Sequence, residues 1–148
     1  MHGKFALFWS TIRFCDWDYE GDDEKVLKPV IEYLSRQPNE IIFKFHDLMN
    51  ELLYNLDTKK LADQCEEETG FCSGDGFLYS RCVAIINDIP FYEKVKSGKY
   101  KDIWNMEFES VLYVPSKAWA LKNSRSVDDY PYIPPLSCET GSNKEAWK

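Results

Sequence analysis

At 148 residues, with a formal net charge of −7 and 16% aromatic side chains that include five Trp and nine Tyr, the chain has the length of one domain and the means to fill a core with large residues. A chain of this sign is repelled by anionic surfaces within roughly a Debye length, which argues against nucleic-acid and membrane partners and for a basic protein. The N-terminal MHGKFALFWSTIRF carries one Lys and an apolar run broken by Ser10, Thr11 and Arg13, which is no signal peptide, and no run reaches membrane-span length.

In chain order, Phe5, Phe8, Trp9 and Ile12 fall at i, i+3, i+4 and i+7 and predict an amphipathic helix ending near Cys15. CDWDYEGDDE is too acidic to continue it and predicts a solvated loop. Leu27, Ile31 and Leu34 mark a second helix, with Pro29 placing its start near residues 25 to 28. Asn39 reads as the N-cap of a third helix through about Tyr54, carrying Ile41, Phe45, Leu48 and Leu52. Asp57 or Thr58 caps a fourth with Leu61 and Cys65 inside, and Thr69 to Gly76 is a turn cluster. Phe77, Leu78, Cys82, Ile85 and Ile86 predict a central helix apolar on most of its surface, capped by Ser73 or Asp75. Phe91, Tyr92 and Val95 predict a short helix, and Ile103, Trp104, Phe108, Val111 and Leu112 a long one that Pro115 kinks or divides. The sum is a mainly α fold, an irregular bundle of about six helices with an extended C-terminal tail. Residues 1–123 form the helical domain, and 124–148 a tail packed on it or extending from it.

The five cysteines, Cys15, Cys65, Cys72, Cys82 and Cys138, are odd in number and contain no C-x-x-C pair. That pattern reads as reduced thiols in the cytoplasm and gives no zinc site. Asp16, Asp18, Glu20, Gly21 and Asp22 imitate the opening of an EF-hand loop, but Leu27 stands where the bidentate Glu is required. Neither a metal nor a cofactor follows. The histidines are His2, at the terminus, and His46, mid-helix, so a cysteine nucleophile has little choice of base. Lys94, Lys96, Lys99 and Lys101 interleave with Tyr92 and Tyr100, a composition that nucleic-acid binders use, but in an acidic chain it reads as a solubilising turn. Arg81, inside an apolar helix, must find a carboxylate or carbonyls. Asp75, Asp47 and Glu107 are the carboxylate candidates.

Residues 73–85 carry a resemblance. Ser73, Asp75, Gly76, Phe77, Tyr79, Arg81 and Ile85 match the S-D-D-G-F-x-Y-F-R-x-W-L-I signature of an uncharacterised, largely bacterial domain family of unknown function, with Gly74, Ser80 and Val83 departing from it. Phe8, Trp9 and Ile12, and later Glu109, Leu112, Tyr113, Val114 and Ala118, resemble two further motifs of such members, so the likeness spans roughly residues 5 to 123. It implies a helical domain and leaves the chemistry open. Gly74, in place of an acidic residue, weakens any scheme of paired carboxylates.

Two functions of different class compete. The first is a non-catalytic protein-binding domain, most concretely an immunity-type protein that neutralises a basic toxin domain. Its binding residues are Asp16, Trp17, Asp18, Tyr19, Glu20, Asp22 and Asp23, where charge and aromatic anchors coincide. The second is a small hydrolase or nucleic-acid-processing accessory enzyme with His46, Asp75, Arg81 and Cys82 around one cleft.

Overall fold

In the computed structural model, which describes residues 3–148, these periods become seven α-helices, with no strand among the described residues. They are α1 (Ala6–Ile12), α2 (Asp23–Ser35), α3 (Asn39–Asn55), α4 (Lys59–Thr69), α5 (Gly74–Ile85), α6 (Ile89–Lys96) and α7 (Val114–Asn123). Short 3-10 turns lie before, between and after them. The fold is all-α, as the periodicity predicts.

Three local expectations are corrected and one open alternative, the cap of α4, is resolved. First, α2 begins at Asp23 because the Asp22 carboxylate accepts the Lys25 N–H at 3.2 Å, so Pro29 falls inside the helix. Its absent N–H would have met the carbonyl of Lys25, a residue on the exposed side, where water can serve that carbonyl. Second, Asn39 lies within α3, and its side-chain oxygen accepts from Asn123 at 3.2 Å. Third, the cap of α4 is Thr58, whose hydroxyl accepts from Leu61 N–H at 3.2 Å, while Asp57 turns inward. Fourth, the long helix expected over residues 103–112 is two 3-10 turns, Lys101–Asn105 and Glu109–Tyr113, and Pro115 starts α7. A proline in the first helical turn loses no hydrogen bond, so it opens α7 at no cost.

The chain divides into two units. The first comprises the described residues through Leu48 with Ser110–Pro135, and the second Met49–Glu109 with Leu136–Lys148. α3 gives residues 39–48 to the first and 49–55 to the second. In the first unit α2 packs along α7, and Phe8 stacks on Phe45 with ring centroids 4.9 Å apart. Val26, Leu27, Val30, Leu34 and Trp119 close that core. Val26 and Val30 thus replace Ile31, which stays partly exposed, on the inner stripe of α2.

In the second unit α5 is buried on nearly every side, which is why its residues show no polar face. The turn at Lys101–Asn105 packs on both α4 and α5. Ser80 donates to the Met106 carbonyl at 2.7 Å, Trp104 Nε1 to Gln64 at 2.7 Å, and Tyr92 to the Leu52 carbonyl at 2.6 Å, so these three polar groups are satisfied on entering the core. Burial alternates residue by residue from Tyr130 to Thr140, as in an extended chain lying on a surface. Tail residues through Pro135 belong to the first unit and the rest to the second.

Candidate protein-binding surface

The acidic stretch is ordered by its own carboxylates. Asp16 accepts the N–H of Asp18 at 3.2 Å and starts a 3-10 turn over Trp17–Tyr19. The Asp16 N–H donates to the Val26 carbonyl at 2.9 Å, and that of Asp22 to the Tyr19 carbonyl at 2.8 Å, which pins both ends of the turn. Gly21 takes φ +100°, a conformation glycine adopts without steric cost, and Asp22 then caps α2. Asp16 and Asp22 therefore have structural duties that composition does not reveal.

The turn displays two large aromatics. Trp17 is 41% exposed and Tyr19 48%. Lys25 Nζ lies 5.4 Å from the Tyr19 ring centroid. Asp18 and Glu20 are exposed and Asp23 is half-buried. A second aromatic pair lies in the same unit, Phe14 stacked on Tyr33 at 4.6 Å, with Phe14 48% exposed. Beside the stretch runs a groove of about 510 Å³, with Leu27, Ile31 and the exposed Leu121 as its apolar part and Asp22, Glu24, Lys25, Lys28, Glu32 and Lys117 around it. Sequence periodicity places Ile31 on the core stripe of α2, so it gives no signal for this groove.

The signature residues have a different setting. Ser73 caps α5, its Oγ accepting the Gly76 N–H at 2.9 Å. Asp75 lies exposed in the first turn, where its charge meets the positive helix end, Tyr79 is half-buried, and Phe77 is buried. Arg81 has no exposed surface. It donates to the Leu53 carbonyl at 2.9 Å and to Thr140 Oγ1 at 3.1 Å, and its guanidinium lies 4.6 Å from the Phe77 ring centroid. The expected carboxylates are not its hydrogen-bond partners. The largest compensating attraction comes from Asp57 and opposes the lowering of the Arg81 pKa by burial.

Among the remaining candidates for chemistry, Cys72 is half-buried and lines clefts of about 220 and 150 Å³. Cys82 is wholly buried, which drives its thiol pKa upward. Cys72 is pushed up to about 12 by burial and then by its hydrogen bond with Cys65, so it is no thiolate at neutral pH. His46 Nδ1 lies 2.9 Å from the Tyr130 hydroxyl, and burial lowers its pKa to about 4 against the opposing pull of Asp47. Asp47 in turn accepts from Tyr132 at 2.6 Å, and Phe43 stacks on Tyr132 at 4.7 Å, so the tail clasps this face of α3. His2 lies outside the described residues. Among the described residues no group of three His, Cys, Asp or Glu side chains is placed to hold a metal, and no helix is long and apolar enough to cross a membrane.

A family model described as "Protein of unknown function (DUF4240)" matches residues 5–120. The chain belongs to the DUF4240 family. The match takes in α1 to α6 and most of α7 of this DUF4240 domain, including the whole 73–85 stretch, and leaves the tail outside. No curated protein and no solved structure matches the chain.

Proposed function

We propose that this DUF4240 domain is a non-catalytic protein-binding module of immunity type, acting in the cytoplasm, which neutralises a basic toxin domain through the surface from Asp16 to Asp23. The observation that carries the reading is the exposure of Trp17 and Tyr19 on one short turn, 41% and 48%, among five acidic side chains. Water-exposed large aromatics within a charged rim are the composition of an interface hot spot. The adjoining groove offers a partner's apolar side chain a seat on Leu27, Ile31 and Leu121. The net charge of −7 steers a basic partner toward the domain. The binding reading is preferred to cleft chemistry because Arg81 and Cys82 have no surface on which to meet a substrate.

The test is association with the basic product of a neighbouring gene. Asp18 and Glu20 are the residues to reverse, since Asp22 caps α2 and its loss would mix folding with binding. The double change to Lys is expected to slow association several-fold and flatten its dependence on salt. Trp17→Ala is expected to speed dissociation, costing about 2 kcal/mol or more of binding energy. Wild-type kinetics in both variants, with unchanged helical circular dichroism, would refute the assignment of this surface.

A further inference from the structure

The C-terminal segment is held in the second unit by hydrogen bonds of the kind that hold a bound peptide. Asp57, with no exposed surface, accepts the main-chain N–H of Gly141 and of Asn143, each at 3.0 Å, and the indole N–H of Trp147 at 2.8 Å. Arg81 donates to Thr140, whose hydroxyl donates to the Gly74 carbonyl at 2.7 Å. Asn50 donates to the Leu136 carbonyl at 2.9 Å, and Asn143 donates to that of Tyr54 at 3.0 Å. The Trp147 ring stands edge-on to Phe77, centroids 6.4 Å apart. A carboxylate that reads main-chain N–H groups at i and i+2, with an aromatic anchor four residues on, recognises a peptide by its backbone and one side chain.

Cleft and occupant are separable on three grounds. Asp57, Phe77 and Arg81 lie inside the family match, and residues 136–148 lie beyond it. Asp57 and Arg81 are wholly buried, whereas no residue from 136 to 148 is, and a segment that buries little apolar surface opens at low free energy. The occupant also leaves the cleft incompletely satisfied, because the buried Arg81 Nε has no hydrogen-bond partner.

We infer that this cleft is a peptide-recognition site which the chain fills with its own residues 136–148, and that the same segment of a second copy exchanges into it. The second copy's segment has the complementarity of the one already seated, so exchange requires no new contacts. The covalent link favours the chain's own segment only through an effective concentration on the order of millimolar. The acidic surface of the first unit plays no part in this site, so the two proposals fail independently.

The test uses the full-length chain and a fluorescently labelled synthetic peptide of residues 136–148, followed by anisotropy. Trp147→Ala weakens the chain's own segment but leaves the cleft intact, and is expected to bind the peptide at least about tenfold more tightly than wild type. Adding Asp57→Asn is expected to weaken that binding at least about tenfold. Amide exchange in the wild-type protein is expected to show Gly141 and Asn143 opening independently of denaturant, while α5 amides exchange only on global unfolding. No peptide binding to folded Trp147→Ala, or equal binding when Asp57→Asn is added, overturns the inference. Should either variant not fold, the wild-type exchange decides alone, and Gly141 and Asn143 exchanging only at the global rate overturns it.

Discussion

Arg81 is among the largest wholly buried side chains of the protein, and the residues around it define what its removal costs. Arg81→Ala opens a cavity beside Phe77, leaves the Leu53 carbonyl with only its bond from the Leu56 N–H, and removes the cation that faces buried Asp57, and is expected to cost about 3 kcal/mol or more. Arg81→Met keeps the packing stem and is expected to cost less, which the urea midpoints of the two variants would order. His46 sets a pH dependence. Its pKa is about 4 in the folded chain against an ordinary 6.5, so on acidification the unfolded chain takes up a proton that folded His46 does not. The stability tied to it is complete above about pH 6.5 and is lost as pH falls toward about 4. His46→Phe is expected to lower the denaturation midpoint less than wild type does between about pH 7 and pH 5. An equal fall in both proteins would contradict the buried neutral imidazole.

Within α5 the entry turn couples two residues of the signature. A Cβ added at Gly76 would lie 2.9 Å from Ser73 Oγ, the atom that caps the helix. Ser73→Ala alone is expected to cost about 1 kcal/mol, the usual worth of an N-cap. Gly76→Ala gains helix propensity but displaces that hydroxyl, so in wild type its effect should be near zero or destabilising. In the Ser73→Ala background the same change should be more favourable by about 0.5 kcal/mol or more. A double-mutant cycle by chemical denaturation measures this coupling, and strict additivity would mean that the cap hydrogen bond survives the added methyl. The signature glycine is thereby explained as room for the cap.

For the molecule as a whole, no covalent cross-link contributes, since all five cysteines are free. A reducing agent is expected to leave the thermal midpoint unchanged, whereas a native disulfide would contribute about 2 to 4 kcal/mol that reduction removes. The tail takes over part of that holding role through hydrogen bonds to the helical part of the chain: half-buried His46 and Asp47 meet Tyr130 and Tyr132, and buried Asp57 and Arg81 meet Thr140 to Trp147. Asp57→Ala should therefore free the last residues, read as rapid proteolysis after Lys144 with the helical circular dichroism unchanged.

The helical class, the strong periods of α1, α3 and α5, and the caps at Thr58 and Ser73 are legible in the sequence because each depends on residues within one or two turns of each other. The two 3-10 turns before α7 have the opposite origin: the apolar spacing of residues 103–112 satisfies a local rule that the packing of the Lys101–Asn105 turn on α4 and α5 overrides. The start of α2 is a choice between two local signals, in which the Asp22 cap outweighs Pro29. The acidic aromatic turn is visible as composition, although the capping duties of Asp16 and Asp22 become clear only with the backbone. The partners of Arg81 and the inward turn of Asp57 were beyond reach, because Thr140 and Gly141 lie 59 and 84 residues away along the chain. A buried charge selects whichever polar group the tertiary fold delivers, and no local pattern encodes that choice.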